Sequence, residues 1–109
     1  SINAFNRSPD QLERLRAMDL ARTEIARAAE RFEILANGLL PARREIVAER
    51  QLEVNFMLTG PFELLAERQR EYAVSRDALA ALADYWQARV AFAAAAGLPP
   101  PDISDAGPA

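Results

Sequence analysis

The chain has 109 residues, 50% of them hydrophobic and 27% charged, with a formal net charge of -3 and neither Cys nor His. That size suits one domain, and the missing His and Cys remove the usual general base, the usual nucleophile pairings and the commonest transition-metal ligands, which argues against an enzyme, a metal site or a disulfide framework. All thirteen basic residues are Arg, interleaved with sixteen acids rather than gathered into a patch, so the electrostatic footprint of a nucleic-acid binder is absent.

The start, Ser1-Ile2-Asn3-Ala4, carries no initiator Met, basic region or apolar leader, and the chain reads as a segment of a longer protein. Residues 1–8 lack a period and form an irregular lead. Ser8-Pro9-Asp10-Gln11 then predicts a helix start, with Ser8 as cap, Pro9 at the first helical position and Gln11 closing a capping box. Strong helix formers run from there to Leu58, interrupted at Asn37-Gly38-Leu39-Leu40-Pro41, where Pro41 removes a backbone donor and predicts a kink. Thr59-Gly60-Pro61 predicts a turn at Thr59-Gly60, with Pro61 opening a second helix over 61–96. Gly97 closes that helix, and the Pro-rich tail over 98–109 reads as a flexible end.

Periodicity relates the two helices. Met18, Ile25, Phe32, Leu39 and Ile46 recur every seven residues, with Ala21, Ala28, Leu35 and Ala42 three positions later; Leu65, Tyr72, Leu79, Trp86 and Ala93 recur in the second helix. The pairs Ile46 with Tyr72, Leu39 with Leu79, Phe32 with Trp86 and Ile25 with Ala93 share residue 59 as their midpoint. A chain reversing at the predicted turn sets these stripes opposite each other, so the expected fold is all-α, a long antiparallel coiled-coil helical hairpin. The plainer reading of such stripes is an ordinary amphipathic helix in a compact bundle.

Between Ala78 and Ala96 only Asp84, Gln87 and Arg89 are polar. A hairpin covers one face of such a helix, and the rest must meet more protein. Membrane insertion is the weaker option, because alanine supplies little transfer energy and Asp84 and Arg89 sit near the middle. At the other end, Asn55, Phe56, Met57, Leu58, Thr59, Gly60, Pro61 and Phe62 place large apolar side chains on a turn. Two readings stand there: a docking surface, or Phe56, Leu58 and Phe62 plugging the end of the hairpin. Glu45, Glu49 and Glu53, and likewise Glu63 and Glu67, line single helix faces, which without His reads as solvated surface rather than carboxylate chemistry.

The runs Leu40-Pro41-Ala42-Arg43-Arg44, Asn55 to Leu65, Tyr85-Trp86-Gln87-Ala88-Arg89-Val90 and Ala96-Gly97 together resemble the second periplasmic helical hairpin of TolC-type outer-membrane efflux proteins, over about residues 35 to 97. The resemblance implies a homotrimeric channel in the full-length protein, set in a Gram-negative outer membrane, with this segment in the periplasm. It implies a tip, Asn55 to Pro61, that docks a periplasmic adaptor and through it an inner-membrane pump, and a transport role without a cofactor. The family's tunnel-closing charged and aromatic residues have no equivalents at Val54 and Thr59, so no gating role is carried over. A different class also fits: a soluble helical-hairpin interaction or scaffold module that self-associates into a four-helix bundle.

Overall fold

In a computed structural model the described residues are 8–104. The expected irregular lead, apart from Ser8, and the last residues of the expected tail lie outside them. The described chain is all-α: α1 spans Pro9–Glu33, a π-helical segment spans Ile34–Leu39, α2 spans Leu40–Asn55 and α3 spans Pro61–Ala96. No strand occurs among the described residues. Between Glu30 and Ala81 the first arm packs antiparallel against the start of α3 as a helical hairpin, and in a separate compact unit α1 packs against the later part of α3.

The helix ends follow from local chemistry. The Ser8 N–H donates to Gln11 Oε1 at 3.1 Å and the Gln11 N–H donates to Ser8 Oγ at 3.3 Å, a reciprocal capping box. Pro41 cannot give an N–H to the preceding turn, and the irregularity it was expected to cause lies in that turn as the π segment. There the Leu40 N–H donates to the Leu35 carbonyl, five residues back. The first arm's helix was expected to reach Leu58. It stops at Asn55 instead, and the reversal occupies residues 56–60 rather than Thr59-Gly60 alone.

The π segment moves the buried seam. Along α1 and into the π segment the half-buried Met18, Ile25 and Phe32 alternate with the buried Ala21, Ala28 and Leu35, as the heptads require. A π turn holds an additional residue, so the seam resumes one position late, at Leu40, Arg43, Val47, Arg50 and Val54. Leu39 and Ala42, expected in the seam, are exposed. The expected stripe on α3 is also one residue out of phase up to Ala81, where the covered positions are Leu64, Glu67, Glu71, Val74, Ala78 and Ala81; its last members, Trp86 and Ala93, are half-buried and buried, beside Tyr85, Ala88 and Phe92. Leu65, Tyr72 and Leu79 face away, at 52%, 70% and 66% exposure. The expected pairs Leu39 with Leu79 and Ile46 with Tyr72 are therefore not formed.

Two compact units are built, Glu30–Ala81 and Ser1–Ala29 with Leu82–Ala109. In the first, Leu35, Ala78 and Ala81 form the core, flanked by Phe32, Ala36 and Val74. Alanine at Ala78 and Ala81 lets the backbones approach, and Leu35 fills the space between. Nearer the turn the seam is ionic: Arg43 Nη1 lies 3.7 Å from Glu67 and Arg44 Nε lies 3.5 Å from Glu71. Arg68 Nη2 donates to Gln51 Oε1 at 3.1 Å.

In the second unit, Ala21, Ala28, Ala88 and Ala93 are buried. The Arg22 guanidinium sits 5.2 Å from the Phe92 ring centroid. Arg89 covers Trp86 at 4.8 Å and Tyr85 at 5.7 Å, and these two rings meet edge to face. After Gly97 the tail does not leave at once, because Leu98, Pro99 and Pro101 line a shallow groove with Ile25, Phe92 and Ala93.

Candidate docking tip

The tip is a helix C-terminus closed by backbone geometry. Phe56 caps α2, and its N–H donates to the Leu52 carbonyl at 3.0 Å. The Met57 N–H donates to the Val54 carbonyl at 3.0 Å and the Leu58 N–H reaches the Glu53 carbonyl at 2.8 Å, the hydrogen-bond pair of a Schellman motif. That motif needs its first residue past the cap in the left-handed region, and Met57 adopts φ 59°. The end of α3 repeats the pattern: Gly97 N–H to Ala94 carbonyl, Leu98 N–H to Ala93 carbonyl, with Gly97 at φ 72°. One motif uses the residue that adopts this conformation freely. The other uses a methionine.

The sequence places the permissive glycine at Gly60, whereas the left-handed residue is Met57. Gly60 instead joins the turn to Pro61, which opens α3 where its missing N–H costs nothing. The strain at Met57 is written in hydrogen bonds that no residue pattern around it announces.

The geometry sorts the candidate residues. Phe56 is 72% exposed, Met57 92%, Leu58 76% and Phe62 83%. Phe56, Leu58 and Phe62 thus bury little of themselves and do not plug the hairpin. Asn55 is used within the helix end, where its Oδ1 accepts from Gln51 Nε2 at 3.0 Å. Thr59 is half-buried, and Gly60 and Pro61 are exposed parts of the connection. Phe56, Met57 and Leu58 stand on the turn and Phe62 in the first turn of α3, while Asn55, Gly60 and Pro61 shape the connection.

Behind the turn, charges on α2 pair with each other. Arg50 grips both oxygens of Glu53 at 2.9 and 3.0 Å. The Glu53 carboxylate, by this hydrogen bond first and its charge second, raises the Arg50 guanidinium above its ordinary pKa. Glu67 is the one buried charged residue among those described, set between Arg43 and Arg70. Its Oε2 accepts no hydrogen bond, since Arg43 stands off at ion-pair distance. Among the described residues no three acidic side chains converge as a cation site requires. No helix among them is long and apolar enough to cross a membrane. No family model matches this chain, and no curated protein and no solved structure matches it.

Proposed function

We propose that this hairpin is a periplasmic segment of the α-helical tunnel of an outer-membrane efflux channel. It is part of a tripartite export system in which the Phe56 to Leu58 tip docks a periplasmic adaptor. The observation that carries the reading is the tip itself: Phe56, Met57 and Leu58, 72% to 92% exposed, on a turn that holds Met57 left-handed, with Phe62 83% exposed where α3 begins. A surface methionine is adaptable and makes good contacts with aromatic and aliphatic partners. A non-glycine residue kept at positive φ is a local strain of the kind concentrated at binding sites. The run from Asn55 to Leu65 is also one of those whose order and spacing resemble TolC-type proteins.

In this role the segment performs no bond chemistry. It conducts passively while the pump supplies energy, and the adaptor joins the two. Leu58→Asp in the full-length parent places a charge on the tip without touching the seam. Efflux is expected to be lost while trimer assembly persists, and unchanged efflux would remove the docking role.

A second reading, a helical hairpin that serves as a self-associating scaffold, draws on Leu65, Tyr72 and Leu79, which point away from the hairpin seam. The parent reading frame separates the two. A channel extends into strand-forming sequence and is encoded beside an adaptor and a pump; a scaffold is not.

A further inference from the structure

Soft-nucleophile chemistry in this chain falls to two side chains. The sequence has no Cys and only two Met, so Met18 and Met57 carry all of its sulfur. A thioether is oxidised the faster the more freely an oxidant reaches the sulfur. Met18 is half-buried in the α1 seam. Met57 is 92% exposed on the turn, and its neighbours Phe56 and Leu58 are so exposed themselves that they shield it little.

What an added oxygen changes at this position follows from how the turn is closed. The Phe56, Met57 and Leu58 N–H groups donate to the carbonyls of Leu52, Val54 and Glu53, all of them backbone bonds. The left-handed φ of 59° at Met57 belongs to the same backbone. The methionine side chain enters none of these bonds, and at its exposure almost no packing depends on it. Oxygen on the sulfur therefore leaves the hairpin as it is. It also turns the most exposed apolar side chain of the tip into a polar hydrogen-bond acceptor.

We infer that Met57 is a site of reversible oxidation, at which hydrogen peroxide converts the tip from apolar to polar without unfolding the hairpin. A sulfur lone pair takes one oxygen from the peroxide: the O–O bond breaks, an S–O bond forms and water leaves. The sulfur is oxidised and the peroxide reduced. In the return step, catalysed by methionine sulfoxide reductases, two thiols give up two electrons and two protons and become a disulfide, while the sulfoxide oxygen leaves as water. A sulfoxide pressed against an apolar partner with no donor to meet it weakens binding about tenfold or more. That consequence rests on the docking reading of the tip, whereas the oxidation itself does not.

The test has two arms. In the first, the full chain is treated with dilute hydrogen peroxide, each methionine is followed by peptide mass mapping, and helicity is followed by circular dichroism through a urea series. Met57 is expected to be converted fully while Met18 stays mostly unoxidised, with helicity and urea midpoint unchanged, and to be restored by sulfoxide reductases for both epimers with a thiol. Equal conversion of the two methionines, or loss of helicity as Met57 is oxidised, overturns the inference. In the second arm, a photo-crosslinking side chain stands at Phe62 of the full-length parent in living cells. A peroxide pulse is expected to cut capture of a periplasmic adaptor about tenfold, and to leave Met57→Leu cells at their own untreated level. Capture that persists with Met57 oxidised, or that falls equally in the Met57→Leu cells, overturns the switch while the docking reading stands. No adaptor capture before the pulse overturns the docking reading and the switch with it, and the oxidation site is then decided by the first arm.

Discussion

Replacing Met57 by glycine should make the hairpin more stable although it deletes a side chain. Holding a non-glycine residue in the left-handed region costs about 1–2 kcal/mol. Glycine removes that cost but adds unfolded-state entropy worth about 0.5–1 kcal/mol. The methionine side chain is 92% exposed, so its loss forfeits almost no burial. The balance is a gain of about 0.5–1 kcal/mol. Urea unfolding followed at 222 nm should show the midpoint rising by roughly half a molar at slopes of about 1–2 kcal/mol/M. The mirror experiment uses the other end of α3. Gly97 is at φ 72° with nothing within 4 Å of where a Cβ would stand, so Gly97→Ala meets a backbone penalty alone and should lose about 1 kcal/mol. A Met57→Gly variant no more stable than the parent, alongside a Gly97→Ala variant equally unaffected, would refute the assignment of backbone strain to these turns.

Further outcomes follow from the seam. Ala81, 1% exposed, should not accept a larger side chain: Ala81→Leu is expected to destabilise by about 1–3 kcal/mol, whereas Leu79→Ala at a 66% exposed position should change the isolated monomer by less than about 0.5 kcal/mol in thermal or urea unfolding. Arg43→Ala leaves the buried Glu67 carboxylate with a single cation and should cost about 1–3 kcal/mol, while Glu67→Leu, which removes the charge and fills the seam, should be neutral or stabilising in the same assay. Gly38 lies inside the π segment with open space around its would-be Cβ, so Gly38→Ala is expected to stabilise by about 0.5–1 kcal/mol.

The hairpin was legible because its signals are local and agree with one another. Ser8, Gln11, Pro61 and Gly97 are residues whose chemistry starts or stops helices wherever they stand. The phase of the seam was not legible, for a physical reason. Pro41 announces a disturbance, but a kink and a π turn both satisfy it, and only the π turn inserts a residue. That insertion sends Leu39 and Ala42 outward and draws Arg43 and Val47 inward. On α3 the stripe Leu65, Tyr72 and Leu79 holds larger apolar side chains than the true seam, where Glu67, Glu71, Ala78 and Ala81 sit. Size therefore pointed to the wrong face. Ion pairs with Arg43 and Arg44 let carboxylates occupy the seam, and close helix approach lets alanine fill it. At the tip, the residues from Asn55 to Pro61 could be grouped from sequence, but the exposure of Phe56 and Leu58 and the left-handed Met57 are consequences of where α2 ends.

The central claim is that the tip meets a periplasmic partner. It is tested most directly by placing a photo-crosslinking side chain at Met57 of the full-length parent in living cells and identifying what it captures. The account predicts a covalent product with a periplasmic adaptor protein. Capture of further copies of the channel protein alone, or of nothing, would contradict it.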